Sequence, residues 1–581
     1  MTAADRSFYV SAWAAGRPLL AAMLAGLLFS ALTYAAQPPA GAWPLALLAV
    51  APLACVGLAI GTCLRVRRRW IAACVAGLST LPLWLAQLWW IGSISSAGLP
   101  PLAVYMCLYP IAFVGIVATL RARFGFLAAV AAAPLLWTGL EVFRGSVAFD
   151  GFAWYFAGHP LIEAGPILVW PARFGGALLV SLLTAVVGVS IAVAALGRWR
   201  IGGMVIGAVA LGWIGPGLLF EGSTPGRDAE TRSFVRFGLV QTNVPQSIRG
   251  EWTSEQRAED FLRFARLTEE AIRQGADIVV WPETMYPYLT IDPAYPEAAD
   301  LLAFQEQLGT PMIIGANGFE GLRIVREPGE PLVRFDRRYN SAFLLDEGRV
   351  QARYDKVRLT PFGEIMPYFS RIERLEQALL ALGARGMTFD LSAGKKAKPL
   401  EITAGGATLE AITPICFEAT DARVCRRLLA RGDPRRPGVM VNLTNDGWFG
   451  DSRPGRLHHL LTARWRCVEL GRPMARAANT GVSALVDPWG RVIESGIEEA
   501  PAADRQSGVL VGPVEPAAGR TAYVAGGWTL RWALLAGLAL CVVGCLVPRN
   551  PRRTANSGGD AGPGSIEPSA KQTRPGKERG S

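Results

Sequence analysis

The sequence predicts a multi-span α-helical membrane domain followed by an external α/β domain. Three observations support this fold class. The 581 residues are 51% hydrophobic and only 18% charged, which is too apolar for a wholly soluble chain. Residues 18–220 are almost free of charge apart from short arginine clusters. Residues 221–523 carry the mixed charge of a globular protein, and strand patterns alternate there with helix patterns.

Eight apolar segments approach the length of about 20 residues that a helix needs to cross a membrane. We predict seven spans before the globular region and one after it, at 18–36, 43–63, 71–93, 101–120, 125–141, 167–196, 203–220 and 525–547. The chain then divides into a membrane domain at 1–220, an external domain at 221–523 and a C-terminal span at 524–548. Residues 549–581 are rich in Pro, Gly, Ser and charge, which predicts a disordered cytoplasmic tail.

Basic residues set the predicted orientation of the spans. Arginines follow the second, fourth, sixth and eighth spans, whereas the loops at 36–42 and 93–100 contain no lysine or arginine. The positive-inside rule makes the basic loops cytoplasmic, so both termini are inside and 221–523 is outside. The alternative for the first span is a cleaved signal peptide ending near Thr33-Tyr34-Ala35. Cleavage there would upset the alternation of basic loops.

The net charge of +11 raises the question of a nucleic-acid partner. Much of the excess lies in short loops between spans and in the tail, which fits membrane topology better, so we predict no nucleic-acid binding. The nine cysteines are scattered without paired spacing. That pattern argues against a disulfide framework or a zinc site, and we predict neither a metal nor a cofactor.

The external domain shows strands interleaved with helices. Thr253 and Gln256 have the spacing of a capping box, which predicts a helix that ends near Gly275. A tight turn at Glu347-Gly348 joins two strands. The predicted strands lie at 234–245, 277–283, 311–317, 340–346, 350–356, 409–416, 438–445, 473–480, 482–488 and 508–514, with further helices at 419–431 and 455–471.

Three strand ends carry side chains suited to nucleophilic chemistry. Glu283, Lys356 and Cys416 each follow an apolar run, and Glu364 lies eight residues after the lysine. A cysteine attacks as a thiolate, so it needs a base for its proton and a cation that favours the anion. A lysine can also stabilise the oxyanion of a tetrahedral intermediate. Taken singly, each residue could instead be a buried thiol, a capping glutamate or a solvated lysine.

A Cys-His pair is the main alternative arrangement. The chain has only three histidines, His159, His458 and His459. His159 lies in a predicted outer membrane loop, and the adjacent pair lies at the start of a predicted helix. A histidine satisfied by its neighbours is the commoner role in such places.

The motifs around these strand ends resemble the carbon–nitrogen hydrolase, or nitrilase, superfamily. The matching segments are WPET (281–284), YDKVRLTPFGE (354–364) and PICFE (414–418), extended by NLTNDGWFGDS (442–452) and RAANTGVSALVDPWG (476–490). The resemblance implies an αββα sandwich with a Glu-Lys-Cys triad at strand ends. A second set of features resembles the membrane-embedded apolipoprotein N-acyltransferases of bacterial envelopes. These features are the flanking spans, the VQTNVPQ opening of the domain, WTGLEVFRG (137–145) and FAW (152–154).

The resemblance implies a two-step transfer. A phospholipid, typically phosphatidylethanolamine, would acylate Cys416, and the α-amino group of an apolipoprotein's diacylglyceryl-cysteine would take the chain. Glu283 would be the general base, Lys356 the oxyanion stabiliser, and Glu364 and Glu418 supporting carboxylates. The enzyme would sit in the bacterial inner membrane, with 221–523 in the periplasm.

The weaker substrate-binding candidates are Trp252, Phe417, Tyr286 and Phe369. Phe417 stands where the family often has tyrosine, and Trp252 is displaced by about two residues from the tryptophan that the family leads us to expect. We also predict that TMYPYLT (284–290) and 367–383 form a lipid-facing wall or lid, the alternative being an amphipathic helix packed on the sheet.

The sequence is also compatible with two other classes of function. One is a membrane-tethered amidase acting on a small soluble substrate, which would share the triad without requiring seven preceding spans. The other is a non-catalytic scaffold or transporter. Pure binding gives no reason to place all three reactive residue types at strand ends, and the spans offer little support for transport.

Overall fold

The computed structural model describes residues 16–94, 96–222, 234–244, 253–326, 331–361, 363–365, 391–495 and 507–547. Across these residues, eight helical segments are long and apolar enough to cross a membrane. We number them spans 1 to 8: Pro18–Ala36, Trp43–Cys63, Val66–Gln87, Leu99–Phe124, Phe126–Ser146, Ala177–Ala195, Trp199–Phe220 and Gly527–Leu546. Their number and order agree with the sequence prediction.

Spans 1 and 2 have the predicted bounds, whereas those of the other six differ, most in spans 3, 5 and 6. Span 3 begins at Val66 and not at 71, because its basic first turn is helical; arginine is a good helix former whose long side chain can reach polar surroundings. Span 5 continues to Ser146, past the predicted end at 141. The predicted span at 167–196 is broken by Gly176, whose φ of 72° lies in the left-handed region, and span 6 starts after it.

Small residues allow close packing between the spans. A side chain at Gly77 in span 3 would collide with Ile111 in span 4, and one at Gly115 in span 4 would collide with the Trp70 ring in span 3. Inside a membrane, helices associate through such close contact because lipid gives no hydrophobic drive. These glycines therefore hold spans 3 and 4 together.

The α/β domain contains two six-stranded sheets. The first has the order β14-β1-β2-β3-β6-β7 and the second β13-β12-β11-β10-β9-β8. The strands are β1 Val235–Gln241, β2 Ile278–Val280, β3 Met312–Glu320, β4 Arg323–Arg326, β5 Pro331–Arg334, β6 Arg337–Asp346, β7 Arg349–Asp355, β8 Leu400–Ala404, β9 Ala407–Ile412, β10 Gly438–Thr444, β11 Met474–Ala478, β12 Ala484–Val486, β13 Val492–Ser495 and β14 Gly508–Val514.

Helices cover the outer faces of both sheets. They are α1 Ser254–Arg273, α2 Pro296–Leu308, α3 Ala422–Ala430 and α4 Arg453–Leu470. Side chains of both sheets, such as Phe237 and Val439, meet in one core between them. Side chains of α1 and α2, such as Phe264 and Leu301, pack on the other face of the first sheet. This is the αββα sandwich implied by the sequence motifs.

The predicted capping box at Thr253 and Gln256 is present, with both hydrogen bonds formed. The Glu347-Gly348 turn is also present, with φ of 51° and 69°, as a tight hairpin between twisted strands requires. The prediction missed β4, β5, β8, β13 and α2. It also extended β9 to Cys416, whereas the strand ends at Ile412.

Candidate active site

Lys356 lies between two carboxylates at the end of β7. Its ammonium nitrogen is 3.4 Å from Glu283 Oε1 and 2.8 Å from Glu364 Oε2, and its side chain is only 1% exposed. The turn that follows supports this arrangement, since Thr360 N donates to Glu364 at 2.7 Å. Burial alone would lower the pKa of Lys356, but Glu364 and Glu283 together raise it. The lysine is therefore held as a cation.

Two asparagines orient the Glu283 carboxylate. Asn340 Nδ2, on β6, donates to Glu283 Oε1 at 2.7 Å and to Glu364 Oε1 at 3.2 Å. The backbone N–H of Asn445, just past β10, donates to Glu283 Oε2 at 3.0 Å. Both oxygens of this buried carboxylate are therefore engaged, one toward Lys356 and one toward the end of β10.

Cys416 lies four residues past β9, where the chain turns sharply. Ile415 still pairs with Leu443 in an isolated parallel bridge. Cys416 then adopts a φ of 50° and begins a 3₁₀ turn that runs to Thr420. A left-handed backbone at a non-glycine residue costs about 1 to 3 kcal/mol and is concentrated at functional sites.

Glu418 links the segment after Lys356 to the segment before Cys416 through hydrogen bonds. Glu418 Oε1 accepts hydrogen bonds from the backbone N–H groups of Val357 and Arg358 at 2.8 and 2.9 Å. Its other oxygen accepts from Ile415 N at 2.9 Å, and the Tyr354 hydroxyl contacts both oxygens. Burial raises the pKa of Glu418 to about 7, although these hydrogen bonds oppose the rise.

The surroundings of Cys416 keep its thiol protonated at rest. Burial and the Glu283 carboxylate raise the pKa of the thiol, while the Lys356 ammonium and the Thr444 hydroxyl act in the opposite direction. A thiol in this condition attacks only once a base removes its proton. The Glu283 carboxylate is close enough to raise the pKa of the thiol, and the Lys356 cation is close enough to lower it. The same cation can stabilise developing negative charge.

A second polar cluster lies directly behind the thiol. Asp446 pairs with Arg476 and with His459 Nδ1, each at 2.8 Å, and accepts from the Thr444 hydroxyl at 3.0 Å. Burial alone would raise the pKa of Asp446, but Arg476, His459 and the hydrogen bonds lower it to about 2. Arg476 also donates to Asn442 Oδ1 on β10. Asp446 is therefore held as an anion between Arg476 and His459.

The histidines have structural partners in this arrangement. His458 Nε2 accepts from Tyr155 N at 3.2 Å, and burial lowers the pKa of His458 to about 3. His459 bonds Asp446, as described above. His159 is buried, burial lowers its pKa, and its backbone carbonyl accepts from Trp465. Within the described residues, the hydrogen bonds of these histidines include those to Tyr155, Asp446 and Trp465, and none runs to Cys416. The Cys-His alternative therefore has no support in the geometry.

The site loops contact residues that lie just beyond the ends of membrane spans. Phe449, three residues after Asp446, packs against Trp90 just past span 3 with ring centroids 4.8 Å apart. Trp154, in the segment after span 5, stacks on His459 at 5.8 Å. Arg358, next to the lysine turn, donates to the backbone carbonyl of Asp150. Two of the site segments therefore touch the membrane domain directly.

The structure separates the remaining site candidates. Phe417 is half-buried beside the nucleophile, and its carbonyl accepts from the Thr420 hydroxyl. Tyr286 is buried on the outer side of the first sheet, where its hydroxyl donates to Glu297 O at 2.8 Å. It therefore lies in the core and not beside Cys416. Trp252, Phe369 and the segment 367–383 lie outside the described residues.

Several residues of the site had no role assigned to them from the sequence. Asn340 is a polar residue opening the NSAFLLD strand, and a polar side chain at a strand end could have marked it. Thr444 and Asp446 lie within the NLTNDGWFGDS motif, which indicated family resemblance without a role for each residue. His459 was considered only as a base, and its bond to Asp446 joins residues 13 positions apart that no local pattern links.

Known proteins resemble both parts of the chain. The carbon–nitrogen hydrolase family matches residues 237–520, and the apolipoprotein N-acyltransferase N-terminal domain family matches residues 29–190. An amidase crystal structure from Nesterenkonia sp. aligns at a TM-score of 0.33 with 18% identity, covering 52% of this chain and 96% of that chain.

The full-length relatives are more informative. An apolipoprotein N-acyltransferase of Rhodopseudomonas palustris is 32% identical over 518 residues, covering 83% of this chain and 88% of that protein. The enzyme of the same name from Azotobacter vinelandii is 32% identical over 572 residues, covering 93% of this chain and 97% of that protein. The chain belongs to the apolipoprotein N-acyltransferase family.

Proposed function

We propose that this protein transfers an acyl chain from a membrane phospholipid, through a thioester on Cys416, to the α-amino group of the N-terminal diacylglyceryl-cysteine of apolipoproteins. Phosphatidylethanolamine is the expected donor. The observation that carries the proposal is the cluster of Glu283, Lys356 and Cys416 on loops that rest on the outer ends of membrane spans.

In the first half-reaction, Glu283 takes the Cys416 proton as the sulfur attacks the sn-1 ester carbonyl. The carbonyl oxygen becomes an oxyanion, which the Lys356 ammonium stabilises. Collapse of the intermediate breaks the ester bond, and Glu283 returns the proton to the leaving glycerol oxygen. The products are an acyl thioester on Cys416 and a lysophospholipid.

In the second half-reaction, the neutral amine of the acceptor attacks the thioester carbonyl. Lys356 again faces the oxyanion, the C–S bond breaks, and Glu283 takes a proton from the nitrogen as the amide forms. The cysteine recovers a proton and the enzyme is restored. This order makes the mechanism ping-pong, because the lysophospholipid leaves before the acceptor reacts.

A lipid substrate explains why the site adjoins the membrane. Withdrawing an acyl chain from a bilayer costs about 0.8 kcal/mol for each exposed CH₂ group, so the enzyme must meet its substrates at the surface. Phe449 against Trp90 and Trp154 above His459 put aromatic side chains at that boundary, where such rings are favoured. A small soluble amide would need none of these contacts.

We also propose that the catalytic domain is periplasmic, that both chain termini are cytoplasmic, and that the domain bounds are those predicted from the sequence. The distribution of arginines supports this orientation. A fluorescent-protein fusion after Arg69 should fluoresce, and an alkaline phosphatase fusion after Gly98 should be active. The reverse pattern would invert the topology and place the site in the cytoplasm.

The test of the chemistry is intact-protein mass spectrometry of purified enzyme mixed with phosphatidylethanolamine and no acceptor. Wild type should gain one acyl mass that hydroxylamine removes, and Cys416→Ala should not. Cys467→Ala is the matched control, because Cys467 is a buried thiol on α4 outside the site. Addition of a diacylglyceryl-cysteine peptide should discharge the adduct.

The outcomes separate the two enzymatic hypotheses. An adduct on wild type and on Cys467→Ala, but not on Cys416→Ala, supports the acyltransferase. A folded wild-type enzyme that forms no adduct with any phospholipid, but hydrolyses a small amide, would favour the membrane-tethered amidase.

A further inference from the structure

The short segment 442–446 physically connects the nucleophile with its proposed base. Asn442 Nδ2 donates to Pro414 O at 2.8 Å, and Leu443 pairs with the residue before Cys416. Two residues after Leu443, the Asn445 backbone N–H donates to Glu283 Oε2 at 3.0 Å. A shift of this segment would therefore change the relative position of Cys416 and Glu283.

Asp446 fixes the far end of that segment. Its carboxylate is fully buried and receives the Arg476 guanidinium, His459 Nδ1 and the Thr444 hydroxyl. Arg476, itself on β11, also bonds Asn442 at the near end. Arg476 thus ties both ends of the segment to the neighbouring strand, through an ion pair with Asp446 and a hydrogen bond to Asn442. Hydrogen bonds with a charged donor are among the strongest in proteins.

The same cluster reaches the membrane domain through His459. The His459 ring stacks on Trp154 with an interplanar angle of 22°, and Phe449 packs edge-on to the same histidine ring at 5.5 Å. Phe449 in turn contacts Trp90. The residues that position Asp446 are therefore themselves positioned by the outer ends of the spans.

We propose that Asp446 is a positioning residue for the Glu283–Cys416 pair, and that His459 links this positioning to the docked membrane domain. This inference rests on the proposed function, since it concerns the acylation of Cys416. It goes beyond the triad because neither Asp446 nor His459 need touch a substrate. Its consequence is that nucleophile reactivity depends on contacts made to the membrane domain by α4.

The size of the expected effect follows from geometry. Misplacing reacting groups by about 1 Å can cost about 100-fold in rate. Asp446→Asn keeps the size of the side chain but removes its charge and presents an amide N–H₂ group to the Arg476 donors or to Thr444. We therefore expect the rate constant for acylation to fall at least ~30-fold.

The experiment is single-turnover thioester formation with dioleoyl-phosphatidylethanolamine in detergent, followed by mass spectrometry. Misfolding would reduce the amplitude, whereas mispositioning reduces the rate constant with full amplitude. Asp487→Asn is the matched control: this aspartate also pairs with an arginine at 2.8 Å, but in a turn near β13. It should stay within about twofold of wild type.

A conservative pair at His459 provides a second readout. His459→Asn can still donate to Asp446 from nearly the position of Nδ1, whereas His459→Leu cannot. We expect the asparagine variant to retain a rate constant at least ~5-fold above the leucine variant. Equal rate constants for the two variants would refute a role for the His459–Asp446 bond.

The rate of Cys416 alkylation by iodoacetamide keeps the test independent of lipid chemistry. Slower alkylation in Asp446→Asn than in Asp487→Asn supports positioning. Unchanged alkylation and acylation rate constants, or a loss of amplitude alone, would overturn it. Absence of any thioester in wild type would defeat the proposed function, and the alkylation rates would still decide the role of Asp446.

Discussion

Replacing Glu418 with glutamine tests whether one buried carboxylate braces the two halves of the site. Glu418 Oε1 accepts from Val357 N and Arg358 N, and Oε2 accepts from Ile415 N. A glutamine amide can supply only one acceptor oxygen. Whichever way it is turned, its N–H₂ group faces a backbone donor, and a buried donor without an acceptor costs about 1 to 3 kcal/mol.

The pH dependence of this cost follows from the raised pKa of Glu418. The pKa rises from 4.5 in the unfolded chain to about 7 in the folded protein, which corresponds to about 3 kcal/mol at about 1.4 kcal/mol per pKa unit. Because the folded state holds the proton more tightly, this contribution of Glu418 to the free energy of unfolding is fully present below pH 4.5. It is lost as the pH rises through about 7.

Glutamine does not titrate, so the stability gap between wild type and Glu418→Gln should narrow as the pH rises. We expect the gap to be about 2 to 3 kcal/mol smaller at pH ~8 than at pH ~5. In a domain of about 300 residues, the change corresponds to roughly 3 to 5 °C in Tm. Differential scanning fluorimetry in detergent measures both proteins at each pH, so that shared titrations cancel.

A gap that stays constant across this pH range would refute the reasoning. It would mean that Glu418 remains ionised throughout and that its hydrogen bonds outweigh its burial. A variant that is less stable at pH ~8 than at pH ~5, relative to wild type, would reverse the sign and contradict it more strongly.

Three further substitutions test the surrounding contacts. Glu364→Gln removes a 2.8 Å partner of Lys356 and should slow thioester formation about tenfold in single-turnover mass spectrometry, whereas an unchanged rate would deny Glu364 a supporting role. Tyr354→Phe deletes the hydroxyl that contacts Glu418 and should lower the free energy of unfolding by about 1 to 2 kcal/mol in a urea titration. Glu469→Gln breaks a buried ion pair on α4 and should cost about 3 kcal/mol in the same titration; a loss below about 1 kcal/mol would contradict its burial.

Much of the fold could be predicted because its signals are local. Runs of about 20 apolar residues identified the spans, and the capping box at Thr253 marked the start of α1. Glu283, Lys356 and Cys416 could be predicted together because each follows a strand, and strand ends in layered α/β domains meet at one edge. The separation along the chain did not hide them, since each carried its own local pattern.

The partners of those residues could not be predicted from the same patterns. Asn340 reaches Glu283 across 57 positions and Asn445 reaches it across 162. The role of each depends on strand order, which periodicity does not supply. The predicted bounds of span 6 were wrong for a different reason, since Gly176 interrupts an apolar run that composition alone treats as continuous.

The helix α4 shows why the two domains act as one unit. Its sequence carries several charged residues, which normally indicate a solvent-facing side, yet from Gly455 to Leu470 all of its residues except Leu457 are buried. The charges are buried because each finds a partner: Arg466 pairs with Glu469 at 2.8 Å, and Glu469 accepts from Ala177 N at the start of span 6.

These partners lie on both sides of α4. The charged side chains of the helix therefore have all their partners only where the catalytic domain meets the membrane domain. Arg464 pairs with Glu163 on the membrane side and donates to Gly490 O on the catalytic side at 2.6 Å. A buried charge that loses its partner costs about 3 to 5 kcal/mol, so undocking would be opposed by several such losses at once. The same helix carries His459, which bonds Asp446 behind the thiol. The contacts that hold the domains together therefore also set the geometry of the nucleophile.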